Sequence, residues 1–344
     1  MFSAMTNGGE CSVMKRMNRR EFIRKSALAS GAMLAAGVGV GTTSWHKPRR
    51  VIILPLLGGN DGLNTVVPYR NDLYHQSRPT LALRSHSLLR VSDTLGFHPA
   101  LEPLLPIWDN GLMTIINNVG FPSPEDTHFR ARLNWHTGKV TGGESTGWTT
   151  RYHHIQNLDP MTGQLSSGKD KPGKMLLSHM GSDSFPNHAF GEQLRRIAHG
   201  IQTGSSSVFY YAALSGFDTH VDQRPQHAVL LEQYSAAVTA LINNLRSSGH
   251  FKDTVILSYS EFDRQLSENF LGGTHHGSGN NVLLFGEPLS KPGFYNELSL
   301  MGTSTGSVPV LIDYRQVYAS VLDQWLGSAS TRILGDTFKP LALF

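Results

Sequence analysis

The chain has 344 residues, enough to bury a sizeable core in one or two domains, and its 30 Lys and Arg against 26 Asp and Glu give a formal net charge of +4. The whole excess lies in residues 1–44, where Lys15, Arg16, Arg19, Arg20, Arg24 and Lys25 meet only Glu10 and Glu21. The rest of the chain keeps 24 charges of each sign, which excludes a general basic surface for nucleic acid. The only cysteine, Cys11, sits in the same stretch, so no disulfide, thiolate metal ligand or cysteine nucleophile is available after it.

The first feature in chain order is Asn18-Arg19-Arg20-Glu21-Phe22-Ile23-Arg24-Lys25, a paired arginine closely followed by Phe-Ile. It resembles the signal read by the twin-arginine translocase. Behind it, residues 27–40 are weakly apolar and rich in Ala and Gly, a run shorter than the roughly 20 residues a helix needs to cross about 30 Å of hydrocarbon. The expectation is a signal and linker over 1–46, with Arg19 and Arg20 as the recognised pair. The translocase is then the export partner, the periplasm or extracellular space the destination, and no stable membrane span is formed. A single α/β domain is expected over 50–344.

Within that domain Val51-Ile52-Ile53-Leu54 is a short β-branched apolar run, the pattern of a strand buried on both faces. A helix over 99–110 and a strand over 112–119 come next. Ser123-Pro124-Glu125-Asp126 reads as a helix start, with a Ser cap, Pro in the first turn and acids near the positive end of a helix reaching residue 137. Residues 138–204 are rich in Gly, Ser, Lys and His with weak periodicity, which suggests a loop-rich lid or rim. Regularity returns with strands over 208–214, 254–259 and 282–285, a long amphipathic helix over 226–248 and a closing helix over 314–326. This alternation predicts a doubly wound α/β fold, a mainly parallel sheet with helices on both faces.

Ligands of an open parallel sheet gather beyond the carboxyl ends of its strands. The predicted strand ends all deliver residues of similar chemistry. The first leads into Gly58-Gly59-Asn60-Asp61-Gly62-Leu63-Asn64, the second towards Asp126-Thr127-His128, the third into Asp218-Thr219-His220 and the fourth into Ser260-Glu261-Phe262-Asp263-Arg264; Gly273-Thr274-His275-His276-Gly277 lies just beyond. Carboxylates, imidazoles and a hydroxyl converging on one rim have the composition of an oxygen and nitrogen site for divalent metal.

These motifs, together with GGNDGLNTVVPY at 58–69, THFRARLNWHTG at 127–138, GFDTHVDQ at 216–223 and the ending from Asp313-Tyr314-Arg315 to Trp325-Leu326-Gly327, resemble the bacterial family called domain of unknown function 1501. That family is grouped with the alkaline phosphatase and sulfatase superfamily. The resemblance implies an alkaline phosphatase-like fold, a divalent metal cofactor (Zn, Ca, Mg or Mn) and hydrolysis of phosphate or sulfate esters, the substrate being a small or polymeric anionic ester. It implies Asp61, Asp218, His220, Glu261, His276 and His275 as candidate metal ligands and Thr127 as the nucleophile at a helix start, with His128 beside it as a second catalytic candidate. Asn64, Arg130 and Arg264 are the candidate substrate-binding residues.

Three departures from the pattern bear on these roles. Phe262 stands where superfamily enzymes usually have a metal-binding His, His275 stands where the family usually has Asp, and Asp263 replaces its usual Gly. Plainer readings exist beside the functional ones. Asp61 in a Gly-rich turn can bond its own backbone, Glu261 can be an ion-pair partner of Arg264, Thr127 can support a first helical turn, and Arg130 can belong to a solvated helix face. The competing function is a non-catalytic exported binding or assembly protein that retains the phosphatase-like fold.

Overall fold

The computed structural model describes residues 49–121, 127–140, 146–156, 164–165, 185–301 and 306–344. The arginine pair Arg19 and Arg20, the expected helix start at 123–126 and most of the expected lid lie outside the described residues.

Strand β1 (Arg50–Leu57) is buried along nearly its whole length. Val51 and Ile53 enter one apolar cluster while Ile52, Leu54 and Leu56 enter another, so alternate side chains of one strand feed cores on opposite faces of the sheet. Around it stand β2 (Met113–Gly120), β3 (Phe209–Tyr211) and β4 (Thr254–Ser260). A hairpin of β5 (Arg264–Glu268) and β6 (Thr274–His276) leads on from β4 to β7 (Asn280–Phe285). Among the described residues the main sheet has nine strands, ordered Gly293–Phe294, β2, β7, β4, β1, β3 and Gln164–Leu165; Ile312–Asp313 pairs with β2 and Leu214–Ser215 with β1.

β1 is parallel to β3 and β4, as expected, whereas β7 runs antiparallel to both β2 and β4. The sheet is therefore mixed. A parallel return needs a crossover along the sheet, but the chain between β4 and β7 stays at one end of it as the β5–β6 hairpin and re-enters reversed. That hairpin is held over the carboxyl ends of β1, β3 and β4.

Helices cover both faces. On one lie α1 (His128–Thr137) and α2 (Trp148–Ile155), which contribute Ala131, Trp135, Trp148 and Tyr152 to the core. On the other lie α3 (Ala189–Gln202) and α4 (Gln223–Ser247). Helix α5 (Tyr314–Ser320) joins the α1 side through Tyr314, Val317 and Tyr318. Helix α3 departs from the expected rim: Phe190, Leu194, Ile197, Ala198 and Ile201 recur at helical spacing and are buried in the main core.

Helix ends shift for local reasons. The expected helix over 99–110 is a 3-10 segment, Pro99–Leu104, followed by a short α-helix, Leu105–Asp109, because Pro103 and Pro106 remove two backbone donors. Helix α4 begins at Gln223 instead of 226: Asp222 and Gln223 donate their N–H groups to Leu271 and Gly272 carbonyls of the hairpin turn, and Pro225 is tolerated in a first turn. After α5, which has an Asp313/Gln316 capping box, Val321–Trp325 widens into a π-helical turn. Among the described residues no helix is long and apolar enough to cross a membrane.

Candidate metal centre

The turn after β1 admits only glycine at two places. Gly58 has φ +121° and a Cβ there would strike the backbone nitrogen of Asp218; Gly59 has φ +78° and its Cβ would lie 2.5 Å from the Phe262 ring. This close approach lets the loops after β1, β3 and β4 meet. Arg264 joins them. Its fully buried guanidinium donates to the carbonyls of Gly58, Gly59 (2.7 Å), Phe217 (2.7 Å) and Thr274 (3.2 Å) and to Asp218 Oδ1 (2.8 Å). The donors of Arg264, expected as a substrate-binding residue, hold these loops together.

Asp218 is the focus of the site. His220 Nε2 lies 2.9 Å and His276 Nε2 3.2 Å from its Oδ1, and His128 Nε2 lies 3.3 Å from its Oδ2. The two nitrogens of His220 and His276 are themselves 3.1 Å apart. Donor atoms of His128, Asp218 and His276 all fall within 4.8 Å of one another. The His128 contact is misaligned for a hydrogen bond, and this buried nitrogen has no hydrogen-bond partner among the described residues. A buried nitrogen aimed at a carboxylate, with two more imidazoles converging on the same group, is a donor set with room for one cation.

The charges favour the ligand forms. Partial burial opposes ionisation of Asp218, but the hydrogen bonds from Arg264 and His276 and the nearby positive charge prevail, holding its carboxyl well below the usual range. For His220, desolvation and then the Arg264 charge push the imidazole down from its ordinary value, so the ring is neutral near pH 7.

Glu261 takes a different part from the one expected. It is buried, and its Oε1 accepts from Gly58 N (2.8 Å), His128 Nδ1 (3.0 Å) and Arg132 Nε (3.0 Å). It orients His128 so that the opposite nitrogen faces Asp218, the arrangement by which carboxylates support metal-binding histidines. Phe262, at the position of the missing superfamily His, packs its ring against His128 (4.9 Å between centroids) and His276 (4.5 Å), closing one side of the cluster with an apolar wall.

Asp61 is not brought into this cluster. It is fully buried against Arg78, whose Nη1 lies 2.8 and 2.7 Å from its two oxygens, and it also accepts from Asn64 N (3.2 Å) and the Gln223 side chain. Burial alone would raise its pKa, but the Arg78 charge and hydrogen bond keep it lowered. Asn64 is spent in the same network, with Nδ2 on the Leu81 carbonyl and Oδ1 receiving Tyr74 Oη (2.8 Å) and Arg78 Nη1 (3.1 Å). Asp61, expected as a metal ligand, and Asn64, expected as a substrate-binding residue, are thus both placed in this buried network.

The remaining candidates are exposed. Alternation along β6 points His276 and Thr274 inward, where Thr274 Oγ1 donates to Gln223 Oε1 (2.6 Å), and leaves His275 exposed. Thr127 is an exposed N-cap of α1 that makes no side-chain capping bond, and Arg130 is exposed on the same helix. Arg78 lies in none of the quoted motifs, and Arg132, although within residues 127–138, is not a sequence candidate; their partners Asp61 and Glu261 are 17 and 129 residues away.

A family model described as "Protein of unknown function (DUF1501)" matches residues 178–334, which include Asp218, His220, Glu261, Arg264 and His276. The resemblance is thus borne out over this part of the chain, and His128, Thr127 and Asp61 precede it. No curated protein matches the sequence. Solved structures similar to this one include the lipoteichoic acid synthase from Listeria monocytogenes, at 10% identity, TM-score 0.40 and coverage of 77% of this chain and 75% of that one. A protein in the alkaline phosphatase superfamily from Vibrio parahaemolyticus has 10% identity, TM-score 0.42 and coverage of 84% and 69%. A phosphonate monoester hydrolase from Silicibacter pomeroyi has 10% identity, TM-score 0.40 and coverage of 85% and 78%.

Proposed function

We propose that the protein is an exported hydrolase that uses one divalent cation to cleave a phosphate or sulfate ester outside the inner membrane, after export by the twin-arginine translocase. The observation that carries this reading is the convergence of His128, His220 and His276 on Asp218. Three imidazole nitrogens and one carboxylate are a donor set for zinc before calcium or magnesium, which prefer oxygen ligands throughout. When bound, such an ion supplies Lewis-acid charge that offsets the negative oxygens of the ester.

The chain's own residues do the rest. Asp218 supplies the anionic ligand, Glu261 holds His128 in register, and Phe262 excludes water from one side of the cluster. Thr127, exposed at the positive end of α1, supplies the nucleophile. Its oxygen bonds to phosphorus or sulfur as the bond to the ester oxygen breaks. The Thr127 proton passes to solvent, the departing oxygen takes one up, and water then cleaves the threonyl ester to restore the hydroxyl.

A second reading, a metal-holding binding or assembly protein without turnover, is favoured by one observation. Asp61 is consumed by Arg78, and Phe262 stands in a ligand's place, so the donors for a second ion are missing among the described residues. Metal analysis of the purified chain, followed by p-nitrophenyl phosphate and sulfate assays with and without added Zn, Mn or Ca, separates the two. Stoichiometric metal with turnover supports the hydrolase, metal without turnover the second reading, and absence of both removes the metal centre.

A further inference from the structure

Among the described residues nine large apolar side chains are exposed, and four of them stand on the segments that carry the histidine cluster. Phe129, 80% exposed, follows His128, and Val221, 51% exposed, follows His220, so each lies one Cα–Cα step, about 3.8 Å, from a cluster histidine. Phe270 (95% exposed) and Leu271 (49%) lie in the turn of the β5–β6 hairpin that carries His276. That turn is built rigidly. Asn269 Oδ1 accepts from Leu271 N (2.9 Å) and Gly273 N (3.0 Å), while its Nδ2 donates to the His220 carbonyl (2.9 Å). Asp222 N and Gln223 N donate to the Leu271 and Gly272 carbonyls (3.0 and 2.9 Å), and a Cβ at Gly273 would strike the His220 backbone. Phe270 and Leu271 are thus held out to solvent by a fixed turn packed on the segment that bears His220 and Val221.

We infer that Phe129, Val221, Phe270 and Leu271 form a docking surface for a phospholipid bilayer, which brings headgroup phosphate esters to the Asp218 cluster. That these esters are the substrate class rests on the hydrolase reading; the docking itself does not. The arrangement has a polar, ionisable centre flanked by apolar side chains. It is the reverse of a protein–protein interface, where an apolar core sits inside a polar rim. A bilayer has the matching order, because side chains that enter the boundary between headgroups and acyl chains go about 5–10 Å deep, leaving the phosphates level with groups just above them. The exposed charges adjoining the four residues are Arg130 and Arg224 against Asp222, close to balance. Attachment therefore comes from apolar burial more than from attraction to anionic lipid.

The test uses the full chain and phosphatidylcholine vesicles in about 1 M salt, where a Debye length of about 3 Å screens the basic residues of 15–25. Phe270→Trp places a reporter in the turn. Relative to the parent protein, its added emission should shift to the blue with vesicles and be quenched by brominated acyl chains. Phe270→Ser combined with Leu271→Ser should lower vesicle partitioning at least about tenfold with an unchanged circular dichroism spectrum. Emission at residue 270 that does not respond to vesicles, or partitioning undiminished in the double variant, would overturn the docking surface. A blue shift that needs no vesicles and grows with protein concentration would overturn it too, assigning the patch to a second copy of the chain. Mass spectrometry of the extracted lipid reads the substrate separately: docking with turnover of p-nitrophenyl phosphate but intact lipid removes the phospholipid ester as substrate. Docking with neither metal nor any ester turnover counts against the hydrolase reading instead.

Discussion

Glu261 Oε1 and His128 Nδ1 are 3.0 Å apart, and this one contact decides where the other nitrogen of His128 points. The carboxylate is buried and also receives Gly58 N and Arg132 Nε, so its position is fixed from three directions. His128 Nε2 then stands 3.3 Å from Asp218 Oδ2. Glu261→Gln keeps the size of the side chain but gives up the charge that favours a proton on Nδ1. Metal affinity, measured by titration against a competing chelator, should fall by roughly 10- to 100-fold while the fold is retained. An unchanged affinity would return Glu261 to a purely structural role.

Asp218 and Asp61 make a contrasting pair, because one carboxylate is half exposed among histidines and the other is buried against a guanidinium. Asp218→Ala should abolish stoichiometric metal and leave a folded protein. Asp61→Ala should leave metal ligands in place but strand the Arg78 charge in the interior, lowering stability by about 3–5 kcal/mol. Metal content and urea unfolding of the two variants read these effects separately. Loss of metal in a folded Asp61→Ala protein would restore Asp61 as a ligand.

Much of this site is legible in the sequence where its residues are consecutive. Asp218-Thr219-His220 follows a strand directly, and the His276 imidazole sits in a Gly-bounded hairpin that pairs back on Arg264. The β1 strand is legible because both of its faces are apolar. What stays hidden is the choice of partner across long separations. Asp61 meets Arg78 from 17 residues away, and Glu261 meets His128 from 133 residues away, so an acid at a strand end reads alike whether it binds metal, a guanidinium or an imidazole. The reversed β7 strand is hidden for a related reason: its apolar pattern does not state its direction.

Asp263 carries a pH dependence opposite in sign to that of Asp218. Burial first, then the charge of Asp61, pushes its carboxyl up to about 8, although Gly62 N donates to its Oδ1 at 2.7 Å. A folded-state value above the unfolded 3.8 means that the native protein keeps a proton the unfolded chain has already lost. Stability from this group is therefore full at low pH and falls as pH rises from about 4 to about 8. Asp263→Asn preserves an acceptor for Gly62 and cannot ionise. It should be more stable than the parent at pH 8 by on the order of 1–3 kcal/mol, with the difference vanishing near pH 4. Denaturant unfolding across that window checks this, and parallel curves for the two proteins would refute it.

Thr127 is the hydroxyl on which the proposed chemistry depends, and its placement makes it a clean test. It is exposed, caps α1 without a side-chain capping bond, and immediately precedes His128. Thr127→Ala should leave metal affinity intact, yet reduce kcat on p-nitrophenyl phosphate or sulfate by about 10³-fold or more, the scale lost when a nucleophile is removed. Thr127→Ser keeps the hydroxyl and should retain most of the activity. Mass spectrometry of protein stopped by acid during turnover should find a phosphoryl or sulfuryl group on residue 127 in the parent and none in the Ala variant. Full activity in Thr127→Ala would instead assign the attack to a water molecule, leaving residue 127 as a helix cap and the histidine cluster as the whole of the catalytic apparatus.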